Sequence, residues 1–212
     1  MTRLATVIAA ALPLTLVLAA CGPQEDDRAG GTSAEATAQE TPAAEAPAEA
    51  PAASGDPYVT ADCATLAAVP AMEPPAGAVG IEGAATSFAP DGIPSITLAT
   101  GSAPATELGI VDVREGDGAE VQPGDTVTVN YCGAGQIGLS VFDSSWSRGE
   151  PISFPLEGLI PGWQEGIPGM KVGGQRMLVI PGALAYGEAP PPGIAPNETL
   201  VFVIELLDTA SA

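Results

Sequence analysis

The stretch "TLVFVIELLD", residues 199–208, sets Val201, Val203 and Glu205 against Phe202, Ile204 and Leu206. A pattern with a period of two belongs to a strand, because successive Cβ atoms there point to opposite faces. "TVTVNYC" (126–132) and "RMLVI" (176–180) share its β-branched, apolar character. Glycine and proline, 26 and 22 of the 212 residues, punctuate the gaps between these runs. Strands must therefore be short and turns frequent. Only "PGWQEGI" (161–167) offers a compact helical turn, with Pro161 suited to a first helical position. From about residue 106 the pattern predicts one domain of mainly antiparallel strands with a single short helix.

The N-terminal part has a different character. Arg3 precedes "LATVIAAALPLTLVLAA", residues 4–20, which is uncharged and apolar but short for a membrane span and interrupted by Pro13. It reads as a secretory signal over 1–20. Its end, Leu18-Ala19-Ala20-Cys21, resembles the lipobox of bacterial lipoproteins, which implies lipidation of Cys21 and anchoring in the membrane through it. The protein is then expected to be exported and lipid-anchored on the outer face of the cytoplasmic membrane or elsewhere in the cell envelope. Residues 22–57 hold eight acidic residues and one arginine, with no large apolar side chain. Such a segment cannot bury enough apolar surface to offset its ordering entropy, so 21–57 is predicted to be a disordered acidic tether rich in Ala, Glu and Pro. Residues 58–105 form an N-terminal extension, partly ordered. Within it "TADCATLAAV" suits one short helix capped by Thr60 or Asp62, and "PSITLAT" (94–100) suits a strand.

Charge and composition exclude several functions. The chain carries 26 Asp and Glu against 6 Lys and Arg, too few cations to build a patch for nucleic acid. It has no histidine, which removes Ser-His-Asp and Cys-His catalysis and any His-ligated metal. Gly133-Ala-Gly135-Gln-Ile-Gly138 is a G-x-G-x-x-G string, but no helical period follows it and Gly149-Glu150-Pro151 interrupts the next stretch. Without a βαβ unit the motif lacks the helix terminus that would hold a pyrophosphate. The glycines are expected instead to turn a hairpin from "VTVNYC" into "SVFDSS". Of the three cysteines, Cys63 and Cys132 remain once Cys21 is set aside. Export favours their pairing, which would pin the extension to the back of the sheet; two free thiols are the alternative.

Four stretches stand in order: "NYC" (130–132), "VFDSSWSRGEPISFPL" (141–156), "LIPGWQEGIPGMKVGGQRMLVIPGALAYG" (159–187) and "PGIAPNETLVFVIELL" (192–207). Together they resemble the FKBP-type peptidyl-prolyl cis-trans isomerases over roughly 106–212. The resemblance implies an α+β fold in which an antiparallel β-sheet wraps around one short α-helix. It implies that Trp163 floors a pocket for the prolyl ring, with Tyr131, Phe142, Ile160 and Phe202 as walls. Phe154 and Leu159 would also meet the substrate, and Ile194 would sit on the loop above. Asp143 would lie beside the rotating amide, held by Tyr131 or Arg148. The Ile160 N–H and the Tyr186 hydroxyl would each hold a substrate carbonyl. Ile152 stands where the family often carries an aromatic. No metal or organic cofactor is implied; the implied partners are proline-containing polypeptides and macrolide ligands.

The residue types suit that chemistry. They are aromatic and aliphatic with one acid and no nucleophile–base pair, as a reaction that breaks no bond requires. Rotation about an X-Pro amide faces a barrier of about 18–20 kcal/mol and takes tens to hundreds of seconds unaided. The twisted amide is less polar than the planar one, so an apolar pocket that strips away water favours twisting. A non-catalytic chaperone or binding module for proline-containing segments is the alternative use of the same pocket. Without the resemblance, Trp163, Phe142 and Phe202 would be read as ordinary core.

Overall fold

The structure, a computed structural model, describes residues 57–81 and 83–211. The signal segment expected at 1–20, Cys21, and all but the last residue of the expected tether lie outside them.

The first five strands are β1 (Tyr58–Asp62), β2 (Ala68–Ala71), β3 (Val79–Ile81), β4 (Ala84–Phe88) and β5 (Pro94–Ala99). They form one antiparallel sheet in the order β2-β1-β5-β4-β3. The short helix expected over 60–69 is not there; β1 ends at Asp62 and the chain reverses into β2. The Asp62 carboxylate explains the difference. Its Oδ1 accepts the N–H of Ala64 (3.0 Å), the N–H of Thr65 (2.7 Å) and the Thr65 hydroxyl (2.9 Å). A side chain that serves as a helix cap serves equally to close a turn. Val59 and Ala61 are buried while Tyr58, Thr60 and Asp62 are less so, and the Thr60 hydroxyl bonds that of Thr97 across the strands at 2.9 Å. That alternation commits the segment to a sheet. The strand expected at 94–100 is β5.

The second sheet is built from β6 (Gly109–Arg114), β7 (Thr126–Gly135), β8 (Ser140–Ser144), β9 (Ile152–Pro155), β10 (Gln175–Ile180) and β11 (Leu200–Ala210). Its order is β6-β10-β11-β7-β8, with β9 pairing the first half of β7 and β8 the second half, all antiparallel. Helix α2 (Pro161–Gly166) carries Pro161 in its first turn, as expected. A single-turn helix, α1 (Ser145–Arg148), was not expected. The Ser144 side chain accepts the Ser147 N–H at its start and Gly149 ends it with φ of 75°. Helix α2 lies close against β10 because Gly162 and Gly166, four residues apart, face it. A Cβ on Gly162 would come within 2.4 Å of Ile180, and one on Gly166 within 2.8 Å of Leu178.

Every residue of β10 is buried, and so are the first five of β11. Both faces of the sheet are thus covered along these two strands. Leu200, Phe202, Ile204 and Leu206 join Val127, Val129, Tyr131, Leu178, Ile180 and Trp163 on the α2 side. Val201, Val203, Met177, Val179, Cys132 and Ala134 join Ala61, Cys63, Ala84, Ile96 and Leu98 on the other. The region 58–99 is therefore a complete sheet of its own that supplies one side of a shared core. Cys63 and Cys132 form a disulfide within that core, 69 residues apart in sequence. The Ser144 hydroxyl donates to the Cys63 carbonyl at 2.6 Å, a further tie beside it.

A closed loop of this length removes several kcal/mol of freedom from the unfolded chain in the loop-entropy account. The double variant Cys63→Ala/Cys132→Ala should lose about 2–4 kcal/mol of stability in denaturant titration. Equal stability of the two proteins would show that apolar packing alone joins the sheets.

Candidate active site

Trp163 lies in the first turn of α2 and is 4% exposed. Its indole meets three rings edge to face: Phe202 at 5.3 Å between centroids, Tyr131 at 5.6 Å and Phe154 at 6.3 Å. Phe142 meets Phe202 the same way at 5.7 Å, and Tyr131 meets Phe154 at 6.1 Å. Perpendicular packing sets the electropositive edge of one ring on the electronegative face of the next and holds each ring in place. The five rings line a hollow of about 260 Å³ together with Leu159, Ile160, Asp143 and Tyr186. The indole Nε1 is buried with no hydrogen-bond partner among the described residues.

The β-strand pairing brings the walls together. Tyr131 on β7 lies opposite Ile204, and Phe202 on β11 lies opposite Gly133. The alternation of β7 sends Tyr131 toward the hollow and Cys132 to the opposite core. Gly133 is where the expected hairpin turn needs correction. The hairpin exists, between β7 and β8, but Gly133 and Gly135 belong to β7 and only Gly138 lies in the turn. A Cβ on Gly133 would stand 2.6 Å from Phe142 and 2.7 Å from Phe202. The missing side chain is what lets those two rings meet. A glycine inside a strand pattern is a readable sign of such close approach.

A polar group sits at the rim. The Tyr131 hydroxyl donates to Asp143 Oδ2, and Arg148 Nη1 donates to Asp143 Oδ1. Arg148 Nη2 also donates to the Tyr131 hydroxyl at 3.0 Å, and its Cζ stands 5.6 Å from the Tyr131 ring centroid. Asp143 and Arg148 are placed by neighbouring elements, the end of β8 and the last residue of α1. Their side chains are 40% and 37% exposed, so the ion pair adds little stability. What it does is fix the direction of the carboxylate. The Tyr131 phenol is pushed up to about 12, first by burial and then by its bond to Asp143. The Tyr186 phenol is also raised, by burial and then by the charge of Asp143. Tyr186 is 40% exposed, and among the described residues its hydroxyl has no hydrogen-bond partner. It is free to donate outward.

Of the residues expected at a site, Tyr131, Phe142, Asp143, Phe154, Leu159, Ile160, Trp163, Tyr186 and Phe202 all line this hollow. Arg148 reaches it through Asp143 and Tyr131. Ile152 and Ile194 pack on the same apolar cluster without lining the hollow. Trp146 packs on the other face of the sheet, away from the hollow. Ile160 caps α2 with its carbonyl, which accepts from Trp163 N at 2.9 Å and Gln164 N at 3.3 Å. Its own N–H has no partner among the described residues.

The Tyr131 shift has a sign that can be measured. A folded pKa above the ordinary 10.0 means the protonated phenol stabilises the fold below pH 10, and this contribution is lost as the pH rises towards 12. Ultraviolet titration of the phenols should show a late transition that Tyr131→Phe deletes and Asp143→Ala moves to lower pH. A late transition unmoved by Asp143→Ala would rule out the Asp143 bond as a cause.

Comparison with known proteins identifies the family. Residues 118–207 match the family model for FKBP-type peptidyl-prolyl cis-trans isomerase. A protein of Corynebacterium glutamicum named "Probable FK506-binding protein" is 51% identical over 114 residues, 54% of this chain and 96% of that one. The FKBP-type peptidyl-prolyl cis-trans isomerase FkpA of Escherichia coli K12 is 54% identical over 100 residues, 47% of this chain and 37% of its own length. The peptidyl-prolyl cis-trans isomerase FPR2 of Saccharomyces cerevisiae is 45% identical over 121 residues, 55% of this chain and 90% of that one. The family match begins beyond β6, so the first sheet lies outside it. With nearly the whole Corynebacterium relative covered at this identity, the chain belongs to the FKBP-type peptidyl-prolyl cis-trans isomerases.

Proposed function

We propose that the aromatic hollow accelerates X-Pro rotation in exported proteins as they fold, by seating the prolyl ring on Trp163 and stripping water from its amide. The observation that carries this reading is the convergence of five rings from β7, β8, β9, α2 and β11 on one hollow with a single oriented carboxylate at its rim. Planar amide resonance places charge on oxygen and nitrogen that water stabilises. In the hollow that solvation is replaced by ring surface, which favours the less polar twisted amide. The Ile160 N–H and the Tyr186 hydroxyl hold carbonyls on either side of the bond, so that one end is fixed while the other turns. Asp143, aimed by Arg148 and Tyr131, lies beside the turning carbonyl and disfavours its planar orientation. Each tenfold gain in rate needs only about 1.4 kcal/mol, the scale of a few such contacts.

The same hollow is proposed to take macrolide ligands, a reading supported by the name of the Corynebacterium relative. Lipidation at Cys21 would place the domain at the membrane surface, with the acidic segment 21–57 as its tether. Its substrates would then be chains folding outside the cytoplasmic membrane.

A protease-coupled assay on a short X-Pro peptide tests the reaction. Wild type should accelerate isomerisation, and Trp163→Ala should lose at least about tenfold in kcat/KM. That variant also opens a core cavity costing about 3–5 kcal/mol, so Asp143→Ala, at the exposed rim, serves as the variant that stays folded. Folded wild type without acceleration, yet able to suppress aggregation of a client, would favour the chaperone reading. Cys21→Ala should move the protein from the membrane fraction to the soluble one. Persistent sedimentation with membranes would remove the anchor from the proposal.

A further inference from the structure

Glu198 precedes β11 and is 3% exposed. Its carboxylate is shared between two segments distant in sequence. Oε1 accepts the N–H of Ile137 at 2.7 Å and that of Gly138 at 3.0 Å, both at the tip of the β7–β8 hairpin. Oε2 accepts the N–H of Ala195 at 2.7 Å, in the loop that follows Gly187. Next to it, the Thr199 carbonyl accepts Gln136 N–H at 3.1 Å. Gly135 faces the carboxylate closely: a Cβ there would lie 2.4 Å from Oε1. The hairpin tip and the loop are thus tied to one side chain, and the strand between them is cleared of a side chain to make room.

The loop needs such a tie. Between Gly187 and Glu198 it holds Pro190, Pro191, Pro192 and Pro196, none of which has an N–H to donate. Its backbone bonds are local, Asn197 N–H to Gly187 O at 2.7 Å, Glu198 N–H to Ala195 O at 3.2 Å and Ile194 N–H to Pro191 O at 3.3 Å, and they close the loop on itself. The Glu198 carboxylate is what joins the outer part to the hairpin tip, and Ile194 beside Ala195 packs on the apolar cluster that surrounds the hollow. Tyr186 stands at the start of the same loop and lines the hollow.

From this geometry we infer that Glu198 is a positioning residue for substrate binding: its buried carboxylate locks the 188–197 loop to the hairpin tip and so sets the shape of the pocket mouth. The inference rests on the isomerase reading of the hollow. Glu198 touches neither Asp143 nor Trp163, so its loss leaves the groups beside the turning amide in place. The loop contributes to holding substrate before and during rotation alike, and loss of such uniform binding appears in KM rather than kcat. Glutamine keeps one acceptor oxygen but turns an N–H₂ toward a donor, so it can serve the hairpin or the loop and not both.

The test is Glu198→Gln beside Glu198→Ala in the full chain, with KM and kcat for an X-Pro peptide, the peptide Kd by NMR titration, and amide exchange at Ile137, Gly138 and Ala195. Glu198→Gln should raise KM and Kd by roughly fivefold, the scale of one lost hydrogen bond, with kcat within about twofold of wild type. Glu198→Ala should raise them further, and exchange should quicken at those three amides first. Unchanged KM and Kd in a folded Glu198→Gln protein would overturn the inference, as would an equal loss of kcat at constant KM. If wild type binds the peptide without accelerating isomerisation, the isomerase reading fails and Glu198 is judged on Kd and exchange alone.

Discussion

The middle of the second sheet, β10 and the first half of β11, is apolar on both faces, and most of the structure follows from that. A strand that alternates valine with phenylalanine, isoleucine and leucine, as β11 does, has no face to give to water. Each large side chain fully buried contributes about 1.5–3 kcal/mol, so two covers are needed rather than one. Helix α2 supplies the first. It is too short to cover much area, and it lies close only because Gly162 and Gly166 let it touch Ile180 and Leu178. The five-stranded sheet of 58–99 supplies the second cover, through Ala61, Ile96 and Leu98, and the Cys63–Cys132 disulfide crosses the seam.

The hollow exists because the α2 side of that core is incompletely filled. Five rings packed edge to face leave a space that aliphatic side chains would collapse into. Their perpendicular contacts resist that collapse, since each ring is held by at least one other. Tyr131, Trp163 and Phe202 are at once buried core and lining, so the contrast between core and site does not apply to them. Of the polar trio at the rim, Asp143 and Arg148 stand partly in water. Its worth lies in direction: Arg148 and Tyr131 take both oxygens of Asp143 and leave one orientation of the carboxylate.

Where sequence reading succeeded, the signal was local. The strands β7, β10 and β11 announce themselves by residue type, and Pro161 marks the start of α2. Where it failed, one residue had two uses of similar energy. Asp62 can cap a helix or close a turn, and the burial of Val59 and Ala61 on one face of β1, Ala61 in the core shared with the second sheet, decided for the turn. Gly133 can turn a hairpin or make room in a strand, and the facing rings of Phe142 and Phe202 decided for room. Glu198 gave no signal at all. Its partners, Ile137, Gly138 and Ala195, lend only backbone N–H groups, which leave no trace in residue type.

By itself the sequence determined the strand runs, the start of the short helix and the set of aromatic residues, because period and composition act within a few neighbouring positions. The expected Cys63–Cys132 pairing already put the extension behind the sheet; the tertiary structure alone decided that 58–99 is itself a five-stranded sheet, that Gly133 is a gap between rings, and that one buried carboxylate ties two loops. Each of these depends on the register between strands far apart in the chain, and register is chosen by the burial of whole faces rather than by any single stretch.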